Sequence, residues 1–190
     1  MNSPIGEPYS KQELVRELEK TRAWSVEFWL SFGPEEFFAP LGDAWSPADN
    51  VRHLLKSNRP VERALELPKL LLLLRFGVAR AKSRRYPQLV GAYRDALGAG
   101  LTAGSFAPKP LAAAEQTEAV RNRTVSELDD TLAGLAAAAS GWSDGALDRL
   151  RLPHPGLGLL TVREMLFFTL YHNAHHVLGV ARRQGAAPES

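Results

Sequence analysis

The stretch YHNAHHVLGV, residues 171–180, places three of the chain's five histidines within five positions. A helix turns about 100° per residue, so His172 and His176 project from nearly one face, one turn apart. That spacing lets two imidazoles reach one metal ion. His175 sits about 60° from His172 and about 100° from His176, so His172/His175 is the weaker pairing. Taken alone, such a pair more often makes hydrogen bonds than it ligates metal. Asn173 follows His172, so the glutamate of the HExxH zinc proteases is missing.

Two histidines do not complete a site, because a catalytic zinc commonly takes three protein ligands and keeps one position open. His53, in WSPADNVRHLL, is the first candidate for the third, with Leu54 and Leu55 placing that part of its helix near a core. His154, in LPHPGLG, is the second, although a Pro-flanked histidine also has an ordinary turn explanation. Three neutral imidazoles leave a divalent ion its full charge, which acidifies a bound water or thiol. The chain has no cysteine. Zinc–thiolate sites, disulfides and a cysteine nucleophile are therefore excluded, and a nucleophile must come from solvent or a cosubstrate. Histidine ligands suit zinc, nickel, iron and copper alike. A carboxylate could orient the rings, and Asp49, four residues before His53, could lie on the same face.

The elements that must position these residues read as helices. The 190 residues are expected to form one domain, 1–190, with 45% hydrophobic residues to build a core. SKQE at Ser10, SPAD at Ser46 and TVRE at Thr161 each carry a helix-capping side chain with an acid three residues on. They predict helices over 11–31, 47–67 and 162–183, the second kinked or shortened by Pro60. A further helix is expected over 112–140, where Leu128, Leu132 and Leu135 recur at helical spacing. Segment 68–100 reads as helical pieces broken by Gly77, Pro87 and Gly91, 101–111 as a Gly/Pro-rich connection, and 141–160 as a loop with one helical turn. No alternating strand pattern stands out. The fold class is all-α: a four-helix bundle with additional short helices in the middle segment.

LLLLL at 70–74 would be apolar all round a helix, so it should be buried in the core and against a second subunit. Trp24, Trp29, Trp45 and Trp142 read as core or packing residues; Trp45 should staple the entry to the second helix, and Trp142 lies in a turn. Arg75, Arg80, Lys82, Arg84 and Arg85 beside Tyr86 form a basic cluster that suits an anionic partner or, more simply, a solvated face. Net charge is only +2 and no nucleic-acid motif is present, so no nucleic acid is expected. No apolar run is long enough to span a membrane, and the expected setting is cytoplasmic.

WSPADNVRHLLKS, followed more than a hundred residues later by HPGLGLLTVREMLFFTLYHNAHHV, resembles the DinB superfamily in order and spacing. The resemblance implies a four-helix bundle with a three-histidine divalent metal site. Its ligands here would be His53, His172 and His176, with zinc or nickel the expected ion. It also implies a metal-dependent transferase using a low-molecular-weight thiol, as in relatives that include a mycothiol-dependent maleylpyruvate isomerase, and a homodimer acting on a small molecule. The alternative is a non-catalytic metal- or small-molecule-binding protein of stress response. Hydrolysis by an activated water also suits the residues but is less favoured by the resemblance. Many relatives carry glutamine three residues after the last ligand, where this chain has Gly179.

Overall fold

A computed structural model describes residues 3–185. Eight α-helices run along them: α1 (Lys11–Leu30), α2 (Pro34–Phe38), α3 (Pro47–Glu66), α4 (Lys69–Phe76), α5 (Tyr86–Gly98), α6 (Glu118–Ser140), α7 (Asp144–Arg149) and α8 (Val162–Gly185). The long helices α1, α3, α6 and α8 form the bundle, with α6 and α8 each packing on both α1 and α3. Leu14, Leu18, Val51, Leu54, Leu128, Leu132, Leu166 and Leu170 fill its centre without solvent contact. No helix among the described residues is long and apolar enough to cross a membrane.

The helix starts follow their caps. Ser10 and Glu13 form a reciprocal capping box on α1. Thr161 and Glu164 do the same for α8, with bonds of 3.0 and 3.1 Å. At α3 the Ser46 hydroxyl accepts from Asp49 N–H, while the Asp49 carboxylate accepts a hydrogen bond from the Ser46 hydroxyl rather than reaching the backbone. Pro60 does not shorten α3, which continues to Glu66. Its packing between α6 and α8 outweighs the one hydrogen bond that proline removes.

Several expectations are corrected. α6 begins at Glu118 rather than near 112, because Thr117 caps it. Pro87 opens α5 and Gly91 lies inside it, so neither breaks a helix. Segment 141–160 is not a loop. It holds α7 and then a hairpin of β1 (Arg151–His154) and β2 (Gly158–Thr161). The strands are antiparallel, with Leu152 opposite Leu160 and His154 opposite Gly158. Leu152 and Leu160 supply its buried face. The LLLLL run is not buried: Leu70 and Leu74 are 63% and 76% exposed, and only Leu72 faces the core. Trp142 is buried in the turn after α6, as expected of a packing residue, and its indole N–H donates to the Leu65 carbonyl at 3.1 Å, tying the end of α6 to the end of α3.

Helices α7 and α8 are held to the N-terminal segment by Arg163, which has no solvent exposure. Its guanidinium grips Asp148 through Nε at 2.6 Å and Nη2 at 3.1 Å. It also donates to the Asp144 carbonyl and carboxylate and to the Tyr9 carbonyl, and covers the Tyr9 ring. From the basic cluster, Arg84 pairs with Glu164 at 2.8 Å and Arg85 lies over Tyr9, so both serve the fold.

Candidate metal centre

His53 stands two turns into α3, and His172 and His176 occupy successive turns of α8. Because α3 and α8 pack against each other, the three rings meet inside the bundle. The Nε2 atoms of His53 and His176 each lie 3.1 Å from Nε2 of His172. One ligating atom from each ring lies within 4.8 Å of the others, so the cluster could hold one ion. Nitrogens that share a tetrahedral zinc at about 2.0–2.1 Å are themselves about 3.3–3.4 Å apart, and the observed 3.1 Å separations lie close to this.

The outer nitrogens decide which atoms carry protons. Asn50 Nδ2 donates to the carbonyls of Trp45 and Ser46, at 3.2 and 2.9 Å, which turns its Oδ1 toward the rings. That oxygen accepts from His176 Nδ1 at 2.7 Å. The Phe106 carbonyl accepts from His53 Nδ1 at 3.1 Å. With Nδ1 protonated, both neutral rings present an Nε2 lone pair to His172. His172 Nδ1 is sealed from solvent and has no partner among the described residues. A single proton on His172 Nε2 cannot satisfy two lone pairs equally well, whereas a divalent cation satisfies all three. The donor set therefore fits a metal ion.

Electrostatics favours the ligating form. Burial pushes the imidazoles of His172 and His176 well below their ordinary pKa, with the neighbouring histidines adding repulsion. Burial also lowers His53. Neutral imidazole is what a metal requires.

The other sequence candidates fall outside the cluster. His175 lies on the rim beside Tyr171. His154 sits in β1, where its Nδ1 accepts from the N–H groups of Gly156 and Leu157 at 3.1 and 3.0 Å. Asp49 does not support His53. Its carboxylate is held by Ser46 and Arg52; the Phe106 carbonyl supports His53 instead, and Asn50 supports His176. Trp45 does more than staple α3: its ring stacks parallel to His176 and lies 5.1 Å from His53. Asn50 was visible as an α3 residue three before His53, one turn back on the same helix. Phe106 acts through its carbonyl, so no residue type marks it.

Two cavities open onto the histidines. The first, about 270 Å³, is bounded by all three rings together with Val61, Tyr93, Leu97, Leu101, Phe106 and Phe168. The second, about 410 Å³, lies on the far side of His176 and is polar, with Asp43, Asn50, His175 and Arg183 in its wall. Gly179 lines this second cavity, where a Cβ would stand 3.6 Å from Arg183 Nη1.

No curated protein and no solved structure matches the chain. The family model of the DinB superfamily matches residues 17–178, which span all four bundle helices and the three histidines. The chain belongs to the DinB superfamily.

Proposed function

We propose that this protein binds a divalent metal, zinc or nickel, through His53, His172 and His176, and uses it as a transferase acting with a low-molecular-weight thiol. The observation that carries the reading is the convergence of three Nε2 atoms, two of them fixed as lone pairs from outside, at the wall of a cavity. A divalent ion held there supplies a Lewis acid that favours the anionic form of a thiol or water. The chain's own residues do the rest. Asn50 and the Phe106 carbonyl hold His176 and His53 in the ligating tautomer. Trp45 and Phe168 wall the rings from bulk water and keep the local dielectric low.

The absence of cysteine supports a thiol brought in as cosubstrate. The polar cavity, with Asp43 and Arg183, suits a small thiol bearing charged ends, and the apolar cavity suits its electrophilic partner. The four exposed leucines of α4 support a homodimer.

Elemental analysis by mass spectrometry tests the metal. It needs tag-free protein, purified without a metal column and dialysed without chelator. Near-stoichiometric zinc or nickel is expected, and His53→Ala should lose it. No bound metal, together with no calorimetric binding of added zinc or nickel, overturns the reading. Thiol-dependent consumption of an electrophile by the loaded protein then separates a transferase from a non-catalytic binder.

A further inference from the structure

We infer that His154 and Tyr93 form a pair of hydrogen-bond donors that orient the oxygen of a small, mainly apolar carbonyl compound in the cavity beside the three histidines. This rests on reading that cavity as the substrate pocket.

The cavity itself selects against charge. Its walls contain no lysine, arginine, aspartate or glutamate. Its volume, about 270 Å³, is near the lower end of the roughly 300–1,000 Å³ common for ligand pockets, which suits a molecule built on a single ring. Leu101 closes one side. It packs against Gly156 in the hairpin turn so tightly that a Cβ there would stand 2.5 Å from a Leu101 methyl. The long connection after α5 is thus keyed into the hairpin as a wall of the pocket.

Besides the histidines of α3 and α8 and the hydroxyls of Ser57 and Thr102, two further polar groups stand in that lining. The hairpin turn fixes the first. His154 Nδ1 accepts two backbone N–H groups, so it carries no proton, and the neutral ring must hold its proton on Nε2. Burial draws the pKa down to about 4, so the ring stays neutral at ordinary pH. The ring is 8% exposed and is wedged edge-on against Phe168 at 4.3 Å. Its Nε2–H has no partner among the described residues. The second is the Tyr93 hydroxyl on α5, on a side chain also 8% exposed and likewise without a partner among the described residues. The two rings stand 6.0 Å apart, edge to face, in one wall. Phe168 lies between His154 and His172, stacked on the latter at 4.8 Å.

Neither donor is sealed within protein, so each is free to bond what occupies the cavity. A ligand oxygen satisfies both. A hydrocarbon of the same shape would leave them unpaired, and a site built to hydrogen-bond discriminates strongly against such an analogue. The donors therefore set orientation, with the oxygen toward His154 and Tyr93 and the rest of the molecule against the apolar wall.

The test compares acetophenone with ethylbenzene, which lacks the acceptor, by protein-observed NMR titration. It uses zinc-loaded protein and chelator-treated protein. Acetophenone should bind about 30-fold more tightly in both states, as two net hydrogen bonds of about 1 kcal/mol each dictate. His154→Asn keeps an oxygen that can cap the turn and removes the ring N–H. Tyr93→Phe removes only the hydroxyl. Each should lower acetophenone affinity about three- to tenfold and leave ethylbenzene unchanged. Equal affinity of the two probes, a preference present only with zinc, an unchanged preference in the double variant, or no binding of either probe each overturns the inference. The chelator-treated arm stands without metal, so a failure of the metal reading is distinguishable from a failure of the donor pair.

Discussion

Asn50 Oδ1 accepts a hydrogen bond from His176 Nδ1 at 2.7 Å, joining α3 to α8 directly behind the histidine cluster. The amide has no freedom to flip, since its nitrogen already donates to two backbone carbonyls at the start of α3. One side chain thus caps a helix entry and fixes a tautomer. Replacing Asn50 by Leu removes the acceptor and frees the His176 ring. Metal affinity should fall about 10- to 100-fold, the usual loss when an outer partner of a ligating histidine goes. Competition against a chromophoric chelator reads this, with far-UV circular dichroism confirming an intact bundle.

The three neighbouring histidines of α8 should behave differently. His172 lies at the centre of the cluster, 3.1 Å from both of the other rings. His175 points to the rim. His172→Ala should abolish stoichiometric zinc binding, and His175→Ala should keep it within about threefold. Retention of zinc by His172→Ala would show that the ligands lie elsewhere.

Much of this was legible because it is local. Caps at Ser10, Ser46 and Thr161 mark helix starts through bonds spanning three residues. The i,i+4 spacing of His172 and His176 follows from helical period alone. Their meeting with His53 follows once α3 and α8 are taken as bundle neighbours. What escaped depends on distant packing. The hairpin at 151–161 contains Pro153 and Pro155, which count against a strand, and its seat on α4, α7 and α8 stabilises so short a ribbon. The partner of His53 is a backbone oxygen from residue 106, and no residue type announces a carbonyl. Within its own chain the leucine run buries only Leu72, because apolar content alone does not dictate which face packs. Tyr93 reads as an unremarkable helical tyrosine until the hairpin is laid beside it.

Arg163 carries more of the fold than its place in a first helical turn suggests. It is fully buried, and its fork spans Asp148, Asp144 and the Tyr9 carbonyl. Arg163→Met should destabilise the protein by about 3 kcal/mol. That is the low end for breaking a buried ion pair, because the carboxylates left behind are partly solvated. Arg163→Lys should recover little of the loss, since an ammonium cannot reproduce the planar fork. Urea unfolding of the metal-free protein measures both.

Acid should weaken the fold in a window set by the buried histidines. Burial holds His154 down to about 4, against 6.5 for a free imidazole. The unfolded chain therefore binds more protons than the folded one between those values. The stabilisation is complete above about pH 6.5 and is lost as pH falls toward 4. His53, His172 and His176 are lowered too and act in the same direction. The lowered carboxylates of Asp148 and Glu164 add their loss only at more acid pH, as they protonate below their unfolded values of 3.8 and 4.5. Urea unfolding of metal-free protein from pH 7 to 4.5 should show falling stability. His154→Asn removes one of the titrating groups and leaves the others, so its decline should be shallower. A decline of equal slope in the two proteins would mean that His154 titrates alike folded and unfolded, which a buried ring held by two backbone N–H groups cannot do.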